Sequence, residues 1–303
     1  MFAQYAVQAM TNRSQTANSY GESLGIRLLR ELFERGLFIF TIEDARAAAA
    51  DLEIPASYLT QLLSKLAAGG WLLRLRRGLY AGTGRLPGEV HAHPFAISTS
   101  LVMPSAISHW SALHHHGLTE QVPRRVSAST PKKVITPSMR PAAIHLRKSR
   151  QDESAAEKHT WEIAGVSYEY VTVSADRFFG IEEVWVDEHF KVPIYDKERS
   201  LLDGFAAPRM FGSLSEVLGI LEEHLNDLDL EKLVAYGLRY GKAAVAKRLG
   251  WALDQVGAPR HVTAPLAALP ISGVRSLDPT RPRRGSYDPR WMIQDNLSIG
   301  EER

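Results

Sequence analysis

The most concentrated chemistry in this 303-residue sequence is a stretch of positive charge near its N-terminus. Over the whole chain Lys plus Arg number 36 and Asp plus Glu number 34, yet every charged residue between Ile54 and Gly88 is a cation. These cations are Lys65, Arg74, Arg76, Arg77 and Arg85. Because ammonium and guanidinium groups neutralise phosphate, a basic segment without acids is typical of a surface that contacts nucleic acid.

Three helices are predicted around this segment from the spacing of apolar residues. The first covers residues 23–36, and Gly36 provides its C-terminal signal. The second begins at Thr41, with Asp44 three residues later in a variant of the capping box. The third covers residues 55–69 and is the candidate recognition helix, because a tight turn separates it from the second.

The recognition helix has two predicted faces. Its core face consists of Leu59, Leu62, Leu63 and Leu66. Its opposite face suits base edges and phosphates in a major groove, and consists of Ser57, Tyr58, Gln61, Ser64 and Lys65. The alternative for this second face is an ordinary solvated helix surface.

A hairpin is predicted to follow the recognition helix, from residues 71–75 and 79–81. Gly78 lies at its tip, and Arg74, Arg76 and Arg77 give it a positive charge suited to phosphate or to the minor groove. This order of elements is that of a winged helix-turn-helix, a DNA-binding unit. The alternative is a winged helix that makes protein contacts.

The chain is long enough for two domains. We predict an N-terminal tail over residues 1–22, the winged helix over 23–84, a short Gly- and Pro-containing linker, and a second domain over 89–303. The predicted fold class is α+β: an N-terminal winged helix-turn-helix followed by a larger mixed α/β C-terminal domain.

The C-terminal domain is predicted to be rich in strands first and helical afterwards. Two helices come before the strands, at residues 94–102 and 104–116. Extended segments are predicted at residues 125–129, 142–147, 158–163, 166–173, 181–186 and 190–194. Helices are predicted to begin at Asp196, Ser213, Asp229 and Lys242, and the irregular tail is predicted to dock through Trp291, Met292, Ile293 and Leu297.

A second basic stretch lies between Gln121 and Gln151, where no acid occurs. Its cations are Arg124, Arg125, Lys132, Lys133, Arg140, Arg147, Lys148 and Arg150. A possible second basic surface, binding phosphate or an acidic partner, comprises Arg124, Arg125, Lys132, Lys133, Arg147 and Lys148. The alternative is a role in solubility, or pairing with the acid-rich residues 176–231.

Catalytic and metal chemistry are disfavoured by the remaining patterns. Consecutive histidines at 114–116 point about 100° apart on a helix, and no H-E-x-x-H motif accompanies them or His91, His93 and His109. The carboxylates Asp196, Glu198 and Asp203 are explained equally well by helix capping. Because nucleotide-binding and nucleophile-elbow motifs are absent from the sequence, we expect no enzyme activity, no cofactor and no metal.

Composition limits the cellular setting. The sequence has no cysteine, which removes disulfides and fits a reducing compartment. It has no run of 18 apolar residues, and its N-terminus lacks the pattern of a signal peptide. The expectation is a cytoplasmic protein without membrane segments.

Taken together, these segments resemble the AbiEi family of antitoxins and transcriptional regulators. The resemblance covers most of residues 24–296 and rests on the winged helix and three short motifs. The motif segments are Arg77-Gly78-Leu79-Tyr80, Ser108-His109-Trp110-Ser111-Ala112-Leu113 with Gly117-Leu118-Thr119, and Val192-Pro193-Ile194-Tyr195-Asp196-Lys197-Glu198-Arg199-Ser200-Leu201-Leu202-Asp203. The tail from Trp291 to Asn296 is also similar, whereas the histidines at 114–116 and the long polar N-terminus depart from the family pattern.

The resemblance implies a repressor that binds inverted repeats in double-stranded DNA of its own operon. It also implies the antitoxin half of a phage abortive-infection system, whose toxin is a nucleotidyltransferase-like protein opposed without a stable complex. The alternatives are a winged-helix regulator without a toxin, an interaction module that binds the toxin directly, and a DNA-directed metal-dependent hydrolase or nuclease.

Overall fold

The computed structural model describes residues 23–84, 88, 91–134 and 160–297. The predicted N-terminal tail, the predicted strand at 142–147, and Arg85, Arg140, Arg147, Lys148 and Arg150 lie outside these residues. The described residues up to Leu101 form one compact unit together with Trp185–Phe190, and the others from Val102 onward form a second. The sequence predicts domain limits of 23–84 and 89–303. These limits stay a prediction, because they concern which parts of the chain fold independently.

The first unit contains the helices and the hairpin predicted for a winged helix. Its elements are α1 (Leu24–Glu34), β1 (Ile39–Thr41), α2 (Ile42–Asp51), α3 (Ala56–Ala68), β2 (Leu72–Arg76), β3 (Leu79–Gly82) and α4 (Pro94–Leu101). The three strands form an antiparallel sheet in the order β1-β3-β2. The helices pack on a core that includes the buried residues Leu28, Leu32, Phe40, Ala48 and Leu63.

Local signals fix where α1 and α2 begin. The Ser23 hydroxyl accepts a hydrogen bond from the Ile26 amide, and Thr41 forms the predicted capping box with Asp44. In that box the Thr41 hydroxyl accepts from the Asp44 amide at 3.2 Å, while Asp44 Oδ2 accepts from the Thr41 amide at 2.7 Å. Two backbone donors that the helix leaves unpaired are thereby satisfied, which typically stabilises such a helix by about 1 kcal/mol.

The second unit is built on a mixed six-stranded sheet with the strand order β6-β7-β5-β4-β9-β8. Its strands are β4 (Ala106–Ile107), β5 (Arg125–Thr130), β6 (Thr160–Ile163), β7 (Val166–Thr172), β8 (Ile181–Trp185) and β9 (Lys191–Tyr195). Strands β5 and β7 run parallel, as do β4 and β9, whereas β4 and β5 run antiparallel, as do β6 and β7. Ala164 and Gly165 form the predicted tight turn between β6 and β7, both with positive φ.

Helices complete the second unit. They are α5 (His109–His115), α6 (Lys197–Ala206), α7 (Leu214–Glu223), α8 (Leu230–Arg239), α9 (Ala243–Gln255) and α10 (Arg260–Ala268). Asp196, Ser213 and Asp229 each cap the helix predicted to begin there, through a side-chain oxygen that accepts a backbone N–H. The mixed α+β class, strand-rich first and helical afterwards, is therefore confirmed.

Two helix predictions in this unit were wrong in detail. The helix expected over residues 104–116 is confined to α5, because Ile107 pairs with both Ala128 and Ile194 inside the sheet. Helix α10 was not predicted, since Pro265 lies within it and proline normally ends a helix. In both cases packing in the folded protein outweighs the local sequence preference.

The C-terminal tail docks on the helical cluster through Trp291. Its indole is fully buried, and its Nε1 donates to Asp254 Oδ2 at 2.8 Å. Space for the ring comes from Gly250 in α9, where a Cβ atom would lie only 2.1 Å from Trp291 Cζ3. Short strands β10 (Arg275–Ser276), β11 (Tyr287–Asp288) and β12 (Ile293–Gln294) form a further sheet here, so the predicted docking is confirmed.

Candidate nucleic-acid interface

Helix α3 has the two faces that its sequence predicts. Leu59, Leu62, Leu63 and Leu66 are buried, each with a relative exposure of 6% or less. Ser57, Gln61, Ser64 and Lys65 are exposed and Tyr58 is half-buried. A helix of 13 residues is about 20 Å long, and its diameter of about 10–12 Å fits the width of a major groove.

Tyr58 and Lys65 are linked across two turns of this exposed face. Lys65 Nζ lies 3.5 Å from the Tyr58 hydroxyl oxygen and 5.5 Å from the centre of its ring. At that separation the hydrogen bond is weak, so the two side chains can exchange it for contacts with a ligand. The side chains of Ser57, Gln61 and Ser64 form no hydrogen bond with any residue that the structure describes.

The turn into α3 and the wing are fixed by backbone geometry. Glu53 takes a positive φ of 55° before Pro55, and α3 begins at Ala56, one residue later than predicted. In the wing, Gly78 has φ +75°, a conformation that favours glycine. Its carbonyl accepts a hydrogen bond from the Ile42 amide at 3.0 Å, which ties the tip of the wing to the start of α2.

The wing presents three arginines to solvent. Arg74, Arg76 and Arg77 are exposed, and none of them has an ion-pair partner among the residues that the structure describes. A register shift in the β2–β3 pairing lies between Arg74 and Arg76. Unpaired guanidinium groups on a hairpin tip are suited to phosphate oxygens.

Two exposed residues of the helix-turn-helix, Thr60 and Arg46, are not among those predicted from the sequence. Thr60 lies on the same side of α3 as Ser57 and Ser64 and is exposed, and the helical spacing could have included it. Arg46 is exposed on α2, the helix that crosses the DNA backbone in this class of motif. The charge pattern did not indicate Arg46 because acidic residues flank it in the sequence.

The described cations of the second basic stretch lie at two separate places. Arg124 and Arg125 are at the start of β5, whereas Lys132 and Lys133 follow its end, and all four are exposed. Strand β5 spans about 17 Å from Arg125 to Thr130 at a rise of about 3.3 Å per residue. The structure therefore separates two pairs of cations that are close in sequence, while Arg147 and Lys148 lie outside the described residues.

The three candidate carboxylates hold the fold of the second unit together. Asp196 caps α6 and accepts from the Tyr236 hydroxyl at 2.8 Å, and Asp203 pairs with the fully buried Arg199. Lys232 Nζ lies 3.1 Å from Asp196 Oδ2 and 2.8 Å from Glu198 Oε2.

The pKa values of this network follow from its contacts. Burial alone would raise the pKa of Glu198, but hydrogen bonds from Lys232 and from the Asp229 amide lower it overall. Burial and the hydrogen bond to Asp196 raise the pKa of Tyr236 to about 12. Every carboxylate of the network therefore has a structural role in helix capping or ion pairing.

The histidines are dispersed along α5 and beyond. His114 and His115 are exposed in its last turn, and His116 Nε2 lies 2.7 Å from the Tyr195 carbonyl oxygen. Within the described ranges, no group of three or more His, Cys, Asp or Glu side chains is arranged to hold a metal ion. Across the same residues, no helix is long and apolar enough to cross a bilayer.

The fold and the charged surface of the first unit define a winged helix-turn-helix protein. Residues 27–81 match the family model described as "Transcriptional regulator, AbiEi antitoxin". The predicted resemblance is thus confirmed over that segment, which includes α3 and the wing.

A solved structure extends the likeness of fold to most of the chain. It is the RV2827C protein from Mycobacterium tuberculosis, with a TM-score of 0.59 and 17% sequence identity over 88% of this chain and 89% of that one. At this identity the likeness concerns the fold alone. A search of curated proteins gives no match.

Proposed function

We propose that this protein represses its own operon by binding double-stranded DNA and acts as the antitoxin of an AbiE-type toxin-antitoxin system. The observation that carries the proposal is the pairing of an exposed polar face on α3 with three arginines on the wing that lack ion-pair partners among the described residues. The family described for residues 27–81 supports it, since that family consists of transcriptional regulators and antitoxins.

In this proposal α3 enters the major groove. Gln61 hydrogen-bonds base edges, and Ser57, Tyr58, Ser64 and Lys65 contact bases or phosphates beside it. Arg74, Arg76 and Arg77 hold the backbone or enter the adjacent minor groove. Arg46 on α2 adds a phosphate contact on the other side of the groove.

The operator consists of inverted repeats, each read by one copy of the protein, with cooperative binding between copies. The toxin is a nucleotidyltransferase-like protein whose gene lies beside this one, and it is opposed without a stable complex. These elements of the proposal derive from the family resemblance, and the protein itself acts without catalysis.

The test is a gel shift and footprint of the purified protein on DNA upstream of its own gene, at two salt concentrations with random competitor. We expect a protected inverted repeat that resists competitor. Binding that is salt-labile and indifferent to sequence would contradict operator recognition. A DNA-cleavage assay with divalent metal on the same fragment separates this proposal from the nuclease alternative.

A second assay addresses the antitoxin role. The neighbouring gene is induced in cells with or without this protein, and growth is followed. Rescue of growth supports the antitoxin function, whereas a harmless neighbouring gene leaves a winged-helix regulator without a toxin. Co-purification of the two proteins from the intact operon would favour direct binding instead.

A further inference from the structure

The second unit contains a cleft of about 510 Å³ beside the start of β5. Its lining combines three arginines, Arg124, Arg125 and Arg209, with a histidine, His109, and with the apolar surface of Trp110. Ligand sites for small molecules are concave, have this order of volume, and combine apolar walls with a few polar groups.

His109 is an unusual residue at this place. It is 3% exposed, yet it lines the cleft, and it takes a positive φ of 55°, which is uncommon for a residue other than glycine. Its ring is stacked on Phe211 with centroids 5.6 Å apart. Backbone conformations of this kind cluster at ligand-binding positions, where the surrounding structure maintains them.

Two serines orient the imidazole. Ser129 Oγ donates to Ser108 Oγ at 2.9 Å, and Ser108 Oγ lies 2.8 Å from His109 Nδ1. In the tautomer in which Nδ1 accepts the Ser108 proton, Nε2 carries the N–H of the ring. Nε2 has no hydrogen bond to any residue that the structure describes, and His109 is one of the residues that line the cleft.

The charge of the cleft is positive. Arg124 and Arg209 are exposed and have no ion-pair partner within the described part of the chain. Arg125 Nη1 lies 4.0 Å from Glu169 Oε2, at the limit of an ion pair, and Glu169 is the one carboxylate among the described residues that line the cleft. Arginine forks match the geometry of phosphate oxygens, and an N–H donor beside them strengthens the preference for an anion.

We propose that this cleft binds a phosphorylated small molecule. Arg124, Arg209 and the Nε2 proton of His109 hold the phosphate, Trp110 contacts the apolar part, and Glu169 accepts a hydrogen bond from a hydroxyl or amino group. A concave site with a buried histidine suits a small molecule better than the backbone of a duplex. The site belongs to the second unit alone and does not depend on the DNA-binding proposal.

The experiment is isothermal titration of the full-length protein with ADP and with pyrophosphate, repeated in the presence of random-sequence duplex DNA. Two variants remove the proposed contacts: Arg124→Glu with Arg209→Glu, and His109→Asn. Asparagine tolerates the positive φ but does not extend as far as Nε2. The matched control is Arg283→Glu with Arg284→Glu, which makes the same change of charge at exposed residues of the C-terminal tail.

ADP is expected to bind the wild-type protein and the control with affinities within about twofold of each other. Both cleft variants are expected to weaken binding by about tenfold or more, with melting curves that show a folded protein. If His109→Asn does not fold, the double arginine variant still decides the result. Absence of binding by both ADP and pyrophosphate, an equal loss in the control, or displacement of ADP by duplex DNA would overturn the proposal.

Discussion

The residues of the proposed DNA surface divide by the kind of contact that each can make. A guanidinium on the wing attracts any phosphate, whereas the amide of Gln61 forms paired hydrogen bonds that differ from base to base. Both kinds are exposed in the first unit, and neither is needed by the core. Their substitution should therefore alter binding without altering the fold.

The first prediction separates these two kinds of contact. Arg76→Ala with Arg77→Ala should weaken binding to all DNA sequences and reduce the slope of log K against log salt by about two, because two phosphate contacts are lost. Gln61→Ala should mainly change sequence preference, by about 1–3 kcal/mol at one base pair. The measurement is a salt titration of binding to operator and random DNA.

The control for this comparison is Arg283→Ala with Arg284→Ala, a pair of adjacent exposed arginines in the C-terminal tail. It removes the same charge from a region outside the winged helix. Unchanged binding in the wing and Gln61 variants would remove the winged helix from the DNA-binding proposal.

The second prediction concerns His109, whose pKa is lowered by burial and by the charge of Arg199, against the opposing charges of Asp203 and Glu169. Because the pKa of His109 is lower in the folded protein than in the unfolded chain, the unfolded chain binds a proton at a higher pH than the folded protein does. The contribution of His109 to the free energy of unfolding is therefore fully present above the ordinary histidine pKa of about 6.5 and is lost as the pH falls below that value.

Denaturant unfolding between pH 7.5 and 5.5 tests this linkage. The free energy of unfolding of the wild-type protein should fall by up to about 1.4 kcal/mol per pH unit more steeply than that of His109→Asn. Burial also lowers the pKa of His93, but that contribution is the same in both proteins and cancels in the comparison. Parallel pH profiles would show that His109 titrates normally.

At the scale of elements, Gly250 in α9 is an exception to the usual effect of replacing a helical glycine by alanine. Gly→Ala within a helix usually stabilises it by about 0.5–1 kcal/mol, since alanine loses less conformational entropy on folding. A Cβ atom at Gly219 in α7 would meet no neighbouring atom within 4 Å, whereas a Cβ atom at Gly250 in α9 would lie 2.1 Å from the Trp291 ring. The two helices thus provide a matched pair.

The third prediction follows from this pair. Gly219→Ala should raise the free energy of unfolding by about 0.5–1 kcal/mol, and Gly250→Ala should lower it by about 1–3 kcal/mol, because the docked indole must move. Thermal or denaturant unfolding measures both. Stabilisation by Gly250→Ala would contradict the docking of the tail on α9.

Elements with strong local signals could be predicted from the sequence, and elements fixed by distant partners could not. The capping box at Thr41 and the caps at Asp196, Ser213 and Asp229 marked helix starts correctly, because the capping groups lie within three residues. Strand β4 was missed because its two residues are held by β5 and β9, which are remote in sequence.

The same distinction applies to the candidate sites. The polar face of α3 could be predicted because helical spacing alone assigns its residues to one side. The cleft around His109 could not, since it brings together residues from α5, the start of β5, β7 and a short 3-10 helix over Pro208–Phe211 that contains Arg209. The separation of Arg124 and Arg125 from Lys132 and Lys133, by contrast, follows from the strand predicted between them.

At the scale of the whole molecule, charge is nearly balanced overall and unevenly distributed. The formal net charge is +2, so general attraction to nucleic acid is weak, and binding must depend on local basic surfaces. One such surface lies in the winged helix, and the described part of the second unit carries others at the two ends of β5. The two proposed tasks, repression and antitoxin action, can therefore be assigned to different surfaces.

The fourth prediction tests that division through Lys132 and Lys133, which are exposed beyond the end of β5. Charge reversal of both should leave repression of a reporter under the protein's own promoter within about twofold, because α3 and the wing are unaltered. If the neighbouring gene encodes the proposed toxin, the same variant should lose the ability to rescue growth when that gene is induced, because an acidic or phosphate-bearing partner is then repelled. Arg283→Glu with Arg284→Glu is the matched control and should retain both activities. Equal loss of repression and rescue would place both tasks on one surface, and full retention of both would exclude these lysines from antitoxin action.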